Sequence, residues 1–258
     1  MLPILLKLGP ITIRMYGVMV VIGFLLALRL IMVQIRRRQL PQDQVLDLVL
    51  YMMLAGFAGA RFSYVIFNLS YYAAYPFEIF KIWQGGLVFY GGFVAALGAL
   101  YWFCRKNEGF SFWAMADLFA PAVALGHTFG RIGCFCAGCC YGLPTNAFWG
   151  VKFFHAQALA PLNLRLHPTQ LYEAGGTFGI FVFLYWLYHR SLPEGEISGM
   201  YLFLYGLLRF HIEFLRGDDR GGYLIWLSPS QWVALLSIAI GIGLLMSRHR
   251  KQLWKKNV

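Results

Sequence analysis

Apolar residues run along this chain in seven long blocks separated by shorter polar stretches. The blocks cover approximately residues 15–35, 45–67, 85–104, 112–130, 169–188, 197–215 and 230–247. A helix that crosses a bilayer needs about 20 mostly apolar residues, so each block predicts one transmembrane helix. The longest interval, residues 131–167, is rich in Gly, Pro, Asn and Cys, with a short strand expected over 148–154. The interval 68–84 carries many aromatics and reads as an interfacial segment, with Tyr and Trp at headgroup level. It leads into the glycine-rich run 84–92, where a backbone can approach another helix or a ligand closely. No internal repeat or low-complexity tract interrupts the pattern. The first dozen residues lack a cleavable signal pattern, because Arg14 breaks the apolar run.

Composition agrees with the blocks. Of 258 residues, 59% are hydrophobic and 13% charged, about half the charged share of a soluble domain. Mean hydropathy is +0.60. The expected fold class is an all-α polytopic membrane protein of about seven transmembrane helices. It forms a single membrane-embedded domain over residues 1–258, with 131–167 as a loop region on the outer side. Net charge is +11, and its placement matters more than its size. Arg36, Arg37 and Arg38 follow the first block, Arg105 and Lys106 the third, Arg190 the fifth, and Arg248, Arg250, Lys251, Lys255 and Lys256 the seventh. All fall on one side, which the positive-inside rule makes cytoplasmic. The N-terminus is then outside and the C-terminus inside. Such loops meet anionic headgroups, and no nucleic-acid partner is expected.

Polar chemistry is concentrated in a few places. His167-Pro168-Thr169-Gln170-Leu171-Tyr172-Glu173 sets an imidazole, an amide, a phenol and a carboxylate at the start of the fifth span. Pro168 suits the first helical position and holds His167 extended outside it. Gln170 and Glu173, three apart, share a face. An ionisable group at mid-membrane costs on the order of 3 kcal/mol, so those in the sixth span mark a site or a buried pair. Arg209, Glu213 and Arg216 stand at i, i+4 and i+7, one helical stripe with two cations around one carboxylate. The bland reading is an ion-pair ladder joining helices. The sharper one is an anion site for a lipid phosphate, because the guanidinium fork matches phosphate oxygens.

Arg131, within Gly130-Arg131-Ile132-Gly133, sits where flanking glycines let it close on a headgroup, against a reading as a snorkelling anchor. Arg61 and Asp117 read as structural, paired with each other or with neighbours. Tyr16 and Tyr90 lie beside glycines and on their own are aromatic-belt residues. His127, one turn before Arg131, reads as a packing residue, and His211 points away from the Arg209–Glu213 stripe. The run from Arg216 to Arg220 reads as a solvated turn.

Four of five cysteines fall in residues 134–140: Cys134, Cys136, Cys139 and Cys140. Packing or a structural disulfide is the first reading. Behind it stand a reactive thiol and a metal site, the last weakened because no histidine stands at ligand spacing.

Taken together, these segments resemble the prolipoprotein diacylglyceryl transferase family of bacterial inner membranes. The residues that carry the likeness are Tyr16-Gly17, Gly85-Gly86 through Gly91-Gly92, Gly130-Arg131-Ile132-Gly133 through Gly142, the 167–173 run, and Arg209 with Glu213 and Arg216. The resemblance implies transfer of the diacylglyceryl group of phosphatidylglycerol to a lipobox cysteine thiol of a prelipoprotein, with release of glycerol 1-phosphate. It also implies seven spans and an active site towards the periplasmic side. It carries over Tyr16, Arg131, Gly142, Arg209 and Glu213 as functional positions. With the reading of the residues themselves, Tyr16, Arg131, His167, Arg209 and Glu213 are expected to be catalytic, and Tyr90, Gly142, Gln170, Glu173 and Arg216 substrate-binding. The chain departs from the family pattern at Cys134 (usually asparagine), Cys139 (usually glutamate) and Tyr90 (usually histidine).

The chemistry fits the residues on its own terms. Arginines neutralise charge on a phosphate leaving group, and a thiol of ordinary pKa near ~8.5 needs a base or a cation to become thiolate. Tyr16, His167 and Glu213 are candidates for that base. The lipid brings its own leaving group, so no cofactor is expected. The rivals are a lipid or solute transporter, whose inverted repeats are not evident, and a membrane thiol–disulfide or metal protein centred on Cys134–Cys140.

Overall fold

The computed structural model describes residues 3–9, 11–81, 85–190, 192–218 and 225–256. Residues 82–84 of the expected interfacial segment, and Asp219 and Arg220 of the expected solvated turn, lie outside the described residues. The chain is predominantly helical. A hairpin of β1 (Ile4–Leu8) and β2 (Ile11–Arg14) runs straight into α1 (Met15–Arg38). Then come α2 (Gln42–Phe67), α3 (Leu69–Ala74), a 3₁₀ turn (Pro76–Phe80), α4 (Phe89–Lys106) and α5 (Phe112–Ala137). A short antiparallel ribbon of β3 (Val151–Lys152) and β4 (Arg165–Leu166) precedes α6 (Thr169–Tyr188), α7 (Glu196–Glu213) and α8 (Pro229–Lys256). Among the described residues, three helical segments, Met15–Arg38, Gln42–Phe67 and Pro229–Ser247, are long and apolar enough to cross a membrane by length and composition.

Several boundaries differ from the sequence reading, each for a local reason. The hairpin of residues 4–14 was not expected, and the expected strand over 148–154 shrinks to Val151–Lys152. The third block starts its helix at Phe89, because Gly85 and Gly86 adopt φ of +91° and +77°, which no helix allows. The fourth runs to Ala137, so Arg131, Cys134 and Cys136 are helical instead of lying in the loop. Pro168 caps α6 from outside, at φ −77° and ψ 65°, instead of occupying its first turn. Finally, α7 ends at Glu213, which leaves Arg216 beyond the helix and off the expected stripe.

Polarity is distributed inside out. Val21 (57% exposed), Phe62 (66%) and Val94 (68%) point away from the fold. Arg61, Asp117, Gln170, Glu173, Arg209 and Arg216 are buried. Apolar surface on this scale needs an apolar surrounding, and buried ionisable groups need partners. This is a helical membrane protein.

Contacts group the residues into two compact units, 32–115 and the pair of segments 1–31 and 116–258. In the first, α2 and α4 meet through glycines. A Cβ at Gly92 would stand 2.7 Å from the Gly56 carbonyl oxygen, and one at Gly59 2.7 Å from that of Gly91. Small residues permit such backbone approach between helices. Arg61 of α2 donates to the carbonyls of Glu78 (2.8 Å), Ile79 (2.9 Å), Gly85 (2.8 Å) and Gly86 (3.1 Å). Its partners are thus backbone oxygens, and its role is to fasten the loop that returns to α4.

The second unit contains α5, α6, α7 and α8, with Leu118, Ala124, Leu184 and Ile212 in its interior. Asp117 of α5 accepts from the backbone N–H groups of Gly195 (2.7 Å) and Ser198 (2.8 Å) and from the Ser198 hydroxyl (2.6 Å). A carboxylate from another helix thereby satisfies donors at the start of α7, which suits the positive end of its dipole. The expectation that Asp117 has a structural role is met by these donors. Asp117→Ala should cost about 2 kcal/mol of stability, since buried donors lose their acceptor. Unfolding in detergent micelles measures this, and a variant as stable as the parent would contradict the capping role.

Candidate functional site

The buried face of α6 changes character along its length. Thr169, Gln170, Glu173 and Thr177 occupy its first two turns, and Ile180 and Leu184 follow on the same side. Helical spacing of three and four brings these residues onto one stripe, so one helix carries a buried polar stretch and an apolar packing surface in sequence.

Glu173 is the centre of that polar stretch, with 0% of its surface exposed. Its Oε1 lies 2.9 Å from Nη2 of Arg131, on α5. Its Oε2 lies 4.0 Å from Nη1 of Arg216. The Tyr205 hydroxyl donates to Oε1 at 3.4 Å, a long bond. His127 stands 3.8 Å from the same oxygen. However, His127 Nε2 accepts from Arg131 Nε at 3.3 Å, so a lone pair faces the arginine and the approach to Glu173 is a contact and not an ion pair. His127 also lies within electrostatic reach of Arg209, which makes it the common neighbour of both ion-pair groups.

Arg209 and Glu213 form the second group, 2.6 Å apart across one turn of α7. Glu213 Oε1 accepts from the Ser228 hydroxyl at 2.7 Å. Arg209 Nη1 is buried and has no hydrogen-bond partner among the described residues. Nη2 meets the distance of an ion pair with Glu213 Oε2 but not the angle of a hydrogen bond. The guanidinium therefore keeps donors available for a further acceptor.

Arg216 takes a different course from the one its spacing predicts. Its Nε and Nη2 grip both oxygens of Asp218, at 2.8 and 2.7 Å. Burial opposes its charge, but the Asp218 hydrogen bonds and then the Cys140 side chain outweigh burial and raise its pKa. The carboxylate between two guanidiniums is thus Glu173, not Glu213. Arg131, Arg209 and Arg216 face Glu173, Glu213 and Asp218, so the group has no net positive charge, contrary to expectation. What it offers an anion is an unsatisfied donor.

A backbone clamp ties the loop after α5 to the end of α7. Gly142 donates to the His167 carbonyl (3.0 Å), Leu143 to that of Leu215 (2.8 Å), and Gly217 to that of Tyr141 (3.0 Å). A Cβ at Gly142 would stand 2.6 Å from the His167 oxygen and 2.7 Å from that of Leu215. Only glycine fits between these strands. Gln170 donates to the Cys139 carbonyl at 2.7 Å and Thr169 to that of Cys140 at 2.8 Å, fixing the same loop from α6.

Of the other predicted residues, Tyr16 lies within electrostatic reach of Arg131. The His167 ring meets the Tyr172 hydroxyl at 3.2 Å, and Trp149 Nε1 donates to that hydroxyl at 2.7 Å. Tyr16, in the first turn of α1, packs on Gly133, where a Cβ would come within 3.2 Å of its ring. Tyr90, in the other unit, begins α4 half exposed with its ring 5.8 Å from that of Phe89. His127, Tyr205 and Ser228 were missed as site neighbours. His127 and Tyr205 each precede a site arginine by four residues, the spacing that pairs side chains on a helix; Ser228 gives no such signal.

The chain resembles known proteins over nearly its whole length. The family model described as prolipoprotein diacylglyceryl transferase matches residues 3–247. A phosphatidylglycerol–prolipoprotein diacylglyceryl transferase of Clostridium tetani is 37% identical over 253 residues, covering 98% of this chain and 100% of its own. Its namesake from Aromatoleum aromaticum is 39% identical over 257 residues, covering 95% and 94%.

Removing the central carboxylate should be felt throughout this network. Glu173→Gln leaves Arg131 and Arg216 without their shared counter-charge and should cost about 3–5 kcal/mol. Combined with Arg131→Met, the two losses should fall short of additive by about 0.5–3 kcal/mol. Denaturation in detergent of the two single variants and the double gives the coupling, and strict additivity would contradict the pairing.

Proposed function

This chain belongs to the prolipoprotein diacylglyceryl transferase family, and on that premise we propose how it moves the diacylglyceryl group of phosphatidylglycerol onto the lipobox cysteine of a prelipoprotein. The cysteine sulfur attacks the glyceryl carbon that bears the phosphate. A sulfur–carbon bond forms, the carbon–oxygen bond to phosphate breaks, and the electron pair leaves with glycerol 1-phosphate. The thiol proton passes to a base. The step needs no nucleotide, because the leaving group is already part of the lipid.

One observation carries the assignment of roles: the buried Arg209 guanidinium has an Nη1 without an acceptor. A phosphate oxygen supplies that acceptor, and the planar fork suits it. Arg131, held from the far side by Glu173 at 2.9 Å, adds a second cation whose direction is fixed before the lipid arrives. Preorganised donors stabilise developing charge without reorganising at the moment of reaction. Glu213, between Arg209 and Ser228, Tyr16 and His167 remain the candidates to take the proton. Glu173, Gln170, Gly142 and Arg216 shape the cradle.

The reading extends to topology. Residues 1–258 act as one membrane-embedded domain of about seven spans, with the N-terminus outside, the C-terminus inside and the site towards the periplasmic face. The basic clusters after alternate spans support that orientation. Cys134, Cys139 and Tyr90 are then the marks of an active subfamily.

Incubating the membrane protein with phosphatidylglycerol and a lipobox peptide should add one diacylglyceryl mass to the peptide. Arg209→Ala and Arg131→Ala should each slow that transfer by about 10²–10³-fold, the usual effect of losing one donor to developing charge. Full activity in both variants would remove the phosphate role.

A further inference from the structure

The last turn of α5 and the turn that follows bring three thiols to one point. Among Cys134, Cys139 and Cys140, no two sulfur atoms lie farther apart than 4.8 Å. No disulfide joins any of the five cysteines. The convergence has a backbone cause. Gly138 at φ +71° and Cys140 at φ +63° turn the chain back over the end of α5, and the Cys139 N–H donates to the Cys134 carbonyl at 3.1 Å. Glycine suits the first position, where a Cβ would meet that of Ala158 at 2.8 Å. The second is a side-chain-bearing residue in left-handed backbone, a conformation that L residues rarely adopt and that persists only where its surroundings hold it.

They do hold it. Gln170 and Thr169 fasten the carbonyls of Cys139 and Cys140, so both adjacent thiols are oriented by hydrogen bonds behind them. This is the support that metal ligands require to keep their geometry.

Magnitudes favour a cation over a disulfide. Zinc–sulfur bonds of about 2.3 Å at tetrahedral angles place sulfurs roughly 3.8 Å apart, within about an ångström of the limit seen here. A disulfide requires sulfurs about 2 Å apart and a dihedral that neighbouring residues reach only with strain. Charge is arranged to suit: the Arg216 guanidinium stands beside the Cys140 side chain, a cation next to the sulfurs that would carry negative charge.

We propose that Cys134, Cys139 and Cys140 form a trithiolate site for one thiophilic divalent d¹⁰ cation, with zinc the ordinary occupant and the fourth position open to a small donor. Binding releases three thiol protons to solvent and leaves a site of net charge −1 beside Arg216. Soft thiolates select such cations. The site's role is to brace the turn that leads into Gly142. Cys136 is not part of it: two residues beyond Cys134 on a helix, it points to another side. The proposal is independent of the transfer reaction, and its test does not read activity.

The full-length protein in detergent, reduced and stripped of metal, is titrated with cadmium(II) while the sulfur-to-cadmium charge-transfer band is followed. Zinc retained by untreated protein is counted by plasma mass spectrometry. One cation per chain is expected, with three of the five thiols shielded from maleimide. Cys136→Ser should leave this stoichiometry at one. Cys139→Ser should weaken binding by more than the roughly 10–100-fold that loss of an outer partner costs. Five thiols labelled with cadmium present would overturn the proposal, as would unchanged binding in Cys139→Ser. A cysteine pair within the trio found as a disulfide in metal-free protein isolated without reductant would overturn it in favour of a redox pair. Thiol protection in the unmutated chain decides the matter even if a variant fails to fold.

Discussion

Taking a carboxylate out of water costs several kcal/mol unless cations and donors replace the lost hydration. Glu173, with no exposed surface, sets that requirement for the interior of its unit. Arg131 answers from α5, Arg216 from the segment after α7, and Tyr205 from α7 itself. Two stretches far apart in sequence, α5 and α7 with the segment that follows it, are thus held to one side chain of α6. The arrangement fixes Arg131 in direction, because its Nε and Nη2 are both engaged, by His127 and Glu173. Arg209 differs: its Glu213 partner is on the same helix, and one of its donors stays unsatisfied. One arginine is pinned and the other keeps a donor to offer, a division that suits a site whose anion arrives and leaves.

The loop between α5 and α6 is fastened to this interior. Gly142 passes between the backbones of His167 and Leu215, so hydrogen bonds join the loop to the start of α6 and to the segment after α7. Thr169 and Gln170 hold it from beneath, and a small apolar cluster of Phe153, Ala160 and Leu166 fills the space under its outer part.

Much of this was legible in the sequence, and the failures have physical causes. Long apolar blocks announced helices, since composition alone decides whether a segment tolerates lipid. Ends were harder. Nothing apolar or charged marks Glu213 as the last residue of α7, so extending the helical stripe to Arg216 followed the spacing rule past the point where the helix existed. Spacing also sees only partners on the same helix. It found Arg209 with Glu213, but it assigned the doubly paired carboxylate to Glu213, because the contacts of Glu173 come from α5 and from beyond α7. His127 was read as packing for the same reason: its role rests on where α6 and α7 lie. The cysteine spacing lacked a familiar ligand pattern, and only the left-handed turn at Gly138 and Cys140 brings the sulfurs together.

In the proposed function, Glu173 positions Arg131 for a lipid phosphate without touching the lipid. Coulomb's law alone predicts that deleting a negative charge beside an anion site tightens anion binding; positioning predicts the reverse. Equilibrium binding of phosphatidylglycerol in bicelles, compared between the parent and Glu173→Gln at a temperature where both are folded, separates the two. The account predicts weaker binding in the variant. Equal or tighter binding would contradict it.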